Sequence, residues 1–262
     1  MIEQDAELVF NRRIATSTFL MGLRSTGIAA EARPGQFVML RVGQGMDPLL
    51  RRPFSICGTR EHDLVLILYR VVGRGTGIMS RLGRGERLSV LGPLGRGFDM
   101  PGDRARSVLV AGGIGIAPLI FLARSAKGKA LTLLAGFGTS GEIPPLGELG
   151  LGGIDLHIST DDGSAGKKGL VTALLRALLL ELESDRLEIF ACGPLPMLKE
   201  VAAMSLKEDI PCQVSLEARM ACGLGACQGC ATRGASDRAG TYVHVCVDGP
   251  VFAAGALDWE AS

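Results

Sequence analysis

The chain carries no excess of either charge: 28 Lys and Arg stand against 27 Asp and Glu, a net charge of +1. A broad nucleic-acid surface needs a clustered basic excess, so no nucleic-acid partner is expected. An apolar run of membrane length is also missing. The longest uncharged stretch, Ser107 to Ala123, is broken by Gly112, Gly113, Gly115 and Pro118, and falls short of the roughly 20 residues a spanning helix requires. The first residues, Met1 to Glu7, are acidic where an export signal is basic and then apolar. Histidine is scarce, and none of His62, His157 and His244 has a carboxylate or serine at a spacing that suggests a catalytic triad. There is no internal repeat and no low-complexity tail. These absences leave a cytoplasmic protein, with no membrane contact, as the expectation.

Cysteine is present in an odd number, seven, which with no export signal is a poor fit to a secreted disulfide framework. Cys57, Cys192 and Cys212 lie in apolar surroundings and read as buried small hydrophobes. The other four, Cys222, Cys227, Cys230 and Cys246, stand as C-x4-C-x2-C-x15-C, the ligand spacing of a plant-type [2Fe-2S] cluster. Small residues between the first three let the backbone wrap closely and turn N–H groups toward anionic sulfur. A structural zinc site would also use four thiolates, typically as two short knuckles rather than one glycine-rich loop and a distant strand.

Hydrophobic residues make up 47% of the 262 residues, enough for a sizeable core and an apolar contact with a partner. Over residues 1–100, short β-type runs are separated by glycine and proline: Glu7–Ile14, Phe37–Val42, Phe54–Cys57, Leu64–Val72 and Arg87–Leu91. They predict a small antiparallel β-barrel. The turn-rich stretch from Gly92 to Gly102 reads as a boundary. Over 101–210, buried strands at Ser107–Ala111, Leu131–Gly136, Ile154–Thr160 and Leu187–Ala191 alternate with helical patterns at Leu170–Glu183 and Leu195–Lys207. That rhythm predicts a Rossmann-like parallel α/β domain. Residues 211–262 hold the cysteine quartet and form a small C-terminal module whose folding is expected to depend on its metal. The fold class is therefore multi-domain, β plus α/β.

In the barrel, Arg52, Pro53, Phe54 and Ser55 are followed by Tyr69, Arg70 and Val71 and then Gly75 and Thr76. Arg52 suits a diphosphate, Phe54 a flat ring, Ser55 a flavin edge, and the Gly75-Thr76 amides phosphate oxygens at a helix start. Singly, such runs are more often an ordinary strand with a solvated arginine, or a turn. In the α/β domain, Gly112, Gly113, Gly115 and Pro118 follow a strand and precede a helix, where a nucleotide can approach the backbone. Pro118 sits where the dinucleotide fingerprint has its last glycine, so the motif is a variant. Cys192, Gly193 and Pro194 end another strand at the same edge.

In this order, Arg-x-Phe-Ser, Gly-x-Gly-Thr, Gly-Gly-x-Gly-x-x-Pro and Cys-Gly-Pro-x-x-Met resemble the ferredoxin–NADP⁺ reductase superfamily. With Ser215 to Gly223 and Val245 to Phe252 added, the chain resembles, over nearly its whole length, the electron-transfer subunits of class 1B dihydroorotate dehydrogenases. The resemblance implies FAD on the barrel, NAD(H) on the α/β domain and a [2Fe-2S] cluster on the four cysteines. It also implies a separate FMN-containing catalytic subunit, assembled as a heterotetramer of two of each, in pyrimidine (UMP) biosynthesis. NADH-dependent ferredoxin:NADP⁺ reductases and sulfide dehydrogenase or sulfhydrogenase subunits share the layout and are the alternative. NADH is the expected nucleotide, because Gly136 to Ser140 and Thr160 to Asp162 include no arginine or lysine for a 2′-phosphate.

Overall fold

A computed structural model describes residues 1–43, 45, 47–102, 106–182, 187–235 and 241–260. Six antiparallel strands close the barrel: β1 (Ile2–Ala15), β2 (Thr18–Arg24), β3 (Phe37–Arg41), β4 (Arg52–Arg60), β5 (Leu64–Arg70) and β6 (Arg87–Leu94), in the order β1-β2-β5-β4-β3-β6. Closure leaves no exposed sheet edge. Two short helices, α1 (Thr26–Glu31) and α2 (Arg74–Met79), fill the corners. Val38, Leu40, Ile56, Ile67 and Val90 point inward, giving the barrel its own core.

The barrel strands read from sequence are present, and β2 joins them. Its burial runs nearly unbroken along Thr18–Arg24, because Met21 and Leu23 face the barrel interior while Leu20 faces the second domain. A strand covered on both sides shows no polar alternation, so it lacked the period-two signal.

The second unit is a seven-stranded sheet in the order β10-β9-β8-β7-β11-β12-β15. Its strands are β7 (Arg106–Gly112), β8 (Leu131–Phe137), β9 (Asp155–Thr160), β10 (Lys167–Lys168), β11 (Leu187–Cys192), β12 (Cys212–Ser215) and β15 (Val251–Ala253). All neighbours are parallel except β12 and β15. Helix α3 (Ile116–Ser125) covers one face, and α4 (Val171–Glu181) and α5 (Leu195–Lys207) cover the other. The sequence-predicted end of α4 at Glu183 lies outside the described residues. The hairpin β13 (Ala231–Arg233) with β14 (Tyr242–His244) completes the chain.

Two contacts fix how the parts sit. Helix α3 is buried from Ile116 to Ala123 and packs between sheet and barrel. At its end Arg124 Nη2 donates to the Thr59 carbonyl of β4 at 3.3 Å. The cysteine module shares one apolar cluster with both other parts: Cys230, Val245 and Cys246 meet Phe37, Met39, Leu91 and Leu94 of the barrel and Val214 of the sheet. No helix among the described residues is long and apolar enough to cross a membrane.

Candidate functional site

The four sequence-predicted cysteines converge at one end of the module. Gly223 has φ +72°, and a Cβ there would fall 2.7 Å from Met39 Cγ, so only glycine lets the loop lie against β3. The wrapped backbone directs amides at sulfur: Leu224 N and Cys227 N donate to Cys222 Sγ at 3.3 and 3.4 Å, and Gly225 N to Cys246 Sγ at 3.2 Å. The Leu224 and Cys227 amides pull the Cys222 thiol down to about 7. Burial, followed by the neighbouring Cys230, pushes Cys246 up to about 11.

The thiols lie close together. Cys222 interacts with Cys227 on the open side and Cys246 with Cys230 in the buried core, with Cys222 also acting on Cys246. Among the described residues, no three His, Cys, Asp or Glu side chains gather into a group fit for one metal ion. A zinc site needs four ligands around a single point. Two thiol pairs with amides directed at sulfur instead fit a two-iron cluster, which takes two thiolates at each iron.

A cleft of about 360 Å³ opens between the barrel and the sheet, lined by Phe54, Ser55, Tyr69 and Arg70 on one side and Leu216, Glu217 and Ala218 on the other, within the size range of small-molecule sites. Pro53 and Thr76 also line it. Arg52 lies against the start of α2: a Cβ on Gly75 would fall 2.3 Å from Arg52 Nε. The guanidinium, which also donates to the Leu50 carbonyl, thus lies beside the first turn of α2, a place suited to phosphate oxygens. The Thr76 hydroxyl is already engaged, accepting from Val72 N at 3.0 Å and Gly73 N at 3.2 Å. That hydroxyl shapes the turn and is not itself free for a ligand. Tyr69 donates to Asn11 Oδ1 at 3.0 Å, and burial pushes its hydroxyl up to about 12 against the pull of that bond. Only its ring is free to serve as wall. Val71 packs on the barrel core, and it is Val72, 76% exposed, that lines the cleft.

A second cleft, about 440 Å³, lies at the carboxyl edge of the sheet. Gly112 and Gly113 end β7 there, beside Pro194 and Met197 after β11. The two turns touch backbone to backbone. A Cβ at Gly115 would fall 2.3 Å from the Cys192 carbonyl oxygen, and one at Gly193 would fall 3.0 Å from Gly112 Cα. Pro118 and Cys192 are buried beneath this surface. Burial, with the Glu217 charge adding to it, pushes the Cys192 thiol up to about 12, making it a neutral packing group.

Sequence reasoning missed Glu142, Glu217 and the separate roles of the two aspartates. Asp162 is tied into its own turn by Ser164 N and Oγ, whereas Asp161 faces the second cleft. Glu217 is exposed as a residue, yet crowding by the cleft walls pushes its carboxyl above the ordinary range, with Arg70 opposing. Its place in the tract leading to Cys222 was its available signal. Glu142, in a loop after β8, offered none.

A barrel and a parallel sheet with ligand-sized clefts along their shared edge, joined to a four-thiol loop, define a reductase-type electron-transfer flavoprotein. Residues 217–258 match the family described as the iron-sulfur cluster binding domain of dihydroorotate dehydrogenase B. The chain is 40% identical over 247 residues to the "Dihydroorotate dehydrogenase B (NAD(+)), electron transfer subunit" of Caldanaerobacter subterraneus subsp. tengcongensis, covering 94% of this chain and 95% of the relative. The protein of the same description from Desulforamulus reducens is 39% identical over 259 residues, with 98% of each chain covered. Among solved structures, a chain of the NADH-dependent reduced ferredoxin-NADP oxidoreductase superimposes with TM-score 0.86 at 31% identity, over 97% of this chain and 90% of that one. The chain belongs to the family of dihydroorotate dehydrogenase B electron transfer subunits.

Proposed function

We propose that this protein passes electrons between NAD(H) and the FMN of a dihydroorotate dehydrogenase catalytic subunit, in the cytoplasmic synthesis of pyrimidines, within a heterotetramer of two of each chain. Its three parts divide the work: 1–100 holds FAD, 101–210 binds NAD(H), and 211–262 holds a [2Fe-2S] cluster on Cys222, Cys227, Cys230 and Cys246. Seven free cysteines are consistent with a reducing compartment.

Bound there, a flavin exchanges a hydride with nicotinamide and single electrons with an iron–sulfur cluster. The protein's own contribution is placement. Phe54, Ser55 and the Tyr69 ring form the barrel wall of the flavin cleft, and Arg52 with the Gly75-Thr76 amides takes the diphosphate. The paired turns at Gly112–Gly115 and Cys192–Pro194 give the dinucleotide close access to backbone. Arg70 lines both clefts and, among the described residues, is the cation they share, placed to meet anionic groups in either. The Leu224 and Val247 side chains, 44% and 40% exposed, flank the cysteine loop and offer an apolar rim to a partner.

One observation carries this reading. Residues Ser215 to Ala218, which form the far wall of the flavin-sized cleft, run directly into the loop of paired thiols. The test is to mix the flavin- and cluster-loaded protein with a class 1B catalytic subunit and follow dihydroorotate-dependent reduction of NAD⁺. Stable association with coupled turnover is expected, while the isolated chain reduces dyes with NADH but leaves dihydroorotate untouched. No association, together with rapid reduction of ferredoxin or polysulfide, would overturn the proposal.

A further inference from the structure

Arg70 ends β5 and, among the described residues, is the only one to line three adjoining spaces: the flavin-sized cleft, the nucleotide-sized cleft and the narrow gap between them. Among the described residues it is the sole cation lining the nucleotide-sized cleft, where Glu142, Asp161 and Glu200 are the anions. Glu200 is matched by Arg176 at 2.7 Å. Glu142 faces Arg70, with Oε2 at 3.3 Å from Arg70 Nη1.

The position of Glu142 does not depend on that ion pair. Its loop is held to the barrel by Thr16 N donating to the Gly141 carbonyl at 2.7 Å, and its carboxylate also accepts from Gly138 N at 3.3 Å. A fixed carboxylate thus faces a long, partly exposed arginine at the mouth between the two clefts. The diphosphate of a dinucleotide entering beside Gly112, Gly113 and Gly138 is anionic. It would compete with Glu142 for the same guanidinium and meet like charge in the carboxylate.

We infer that Glu142 is a positioning residue that holds Arg70 at the inter-cleft mouth in the empty protein and yields it to the incoming nucleotide diphosphate. Glu142 thereby weakens nucleotide binding and favours release. The inference rests on reading the sheet-edge cleft as the nucleotide site, and it adds an acidic competitor whose removal tightens binding.

The test is equilibrium binding of ADP-ribose, which carries the diphosphate but no nicotinamide, to the flavin- and cluster-loaded protein by calorimetry. Glu142→Gln keeps an acceptor for Gly138 N and loses only the charge. Its Kd is expected to fall about fivefold at low ionic strength, the scale of an exposed ion pair, and the gap should close as salt is added. In an Arg70→Met background the same change should give a smaller gain, because only like-charge repulsion is then relieved. If Glu142 merely supports its loop, Glu142→Gln will bind as wild type and Glu142→Ala will bind more weakly; that result overturns the inference. Leu170→Trp separates this outcome from failure of the site itself, since Leu170 is 62% exposed and lines the cleft. Undiminished ADP-ribose binding by Leu170→Trp would place the nucleotide elsewhere and overturn both readings. Loss of binding there, with Glu142→Gln unchanged, would overturn only the role of Glu142.

Discussion

Replacing Gly115 by alanine tests whether the two turns at the sheet edge are packed as closely as their backbones indicate. The new methyl would lie 2.3 Å from the Cys192 carbonyl oxygen, 2.5 Å from its carbon and 2.7 Å from Gly193 N. Carbon contacts are favourable near ~3.5–4.0 Å, so the backbones would have to separate by roughly 1 Å. They cannot part freely, because Cys192 pairs with Ala111 across the β11–β7 ladder. Overpacking of this kind costs about 1–3 kcal/mol. At roughly 2–4 °C of midpoint per kcal/mol for a chain approaching this size, the apparent melting midpoint should drop by about 2–12 °C. Gly113→Ala is the control: its φ is +53° and nothing lies within 4 Å of an added Cβ, so its cost is the backbone strain alone, about 1–2 kcal/mol. The assay is thermal unfolding followed by circular dichroism, with FAD content and ADP-ribose affinity measured on the same samples. Gly115→Ala should weaken ADP-ribose binding while FAD stays bound, since the barrel has a separate core. A Gly115→Ala protein as stable as wild type and with unchanged ADP-ribose affinity would refute the close packing of the two turns.

Protein prepared without oxygen should contain about two irons and two acid-labile sulfides per chain, and Cys227→Ser should remove both while FAD remains; zinc with no sulfide would contradict the two-pair arrangement. Arg52→Ala loses charge-assisted contacts worth about 1.5–3 kcal/mol, so FAD should wash out on desalting, and full retention would place the diphosphate elsewhere. Catalytic efficiency should favour NADH over NADPH, because Asp161 faces the cleft and Arg70 is the only cation lining it among the described residues; equal efficiency with both would show this to be wrong. Burial raises the Cys57, Cys192 and Cys212 thiols from 9.0 to about 12. A pKa raised by folding contributes stability that is present below pH 9 and lost as pH rises toward 12. Urea titrations should show that decline over this window, and the three thiols should resist alkylation in native protein at pH 8 or so and react once it is unfolded.

What could be read from sequence was whatever repeats with a period or sits at a fixed spacing. Alternating strands and helices after residue 106 gave the parallel sheet, and the cysteine quartet gave its own cofactor. The glycines at 112, 113 and 115 marked the turn, though the reason for Gly115 is its contact with Cys192, which no local pattern contains. Strand β2 was hidden because both its faces are covered. Strands β12 and β15, of four and three residues, are too short to show a period. The sequence around Thr76 reads as a turn suited to phosphate, but the use of the Thr76 hydroxyl depends on Val72 and Gly73 folding back onto it. Glu142 illustrates the limit: an acidic residue in a loop rich in glycine and proline carries no signal until tertiary structure places it against Arg70.

The sheet also ties the cysteine module to the flavin-sized cleft. Strand β12 pairs with β11 on one side and with β15 on the other, so the chain enters and leaves the module along the same sheet edge. Leu216 N donates to the Pro250 carbonyl at 2.9 Å, closing the module's two ends beside the cleft. The cysteine loop is then pressed onto the barrel at Gly223 and Met39, with Cys230 and Cys246 inside the shared apolar cluster and Cys227 exposed. Sheet pairing and barrel contact thus hold the loop from two directions. Cys227, flanked by the half-exposed Leu224 and Val247, stays on the outer side of the loop.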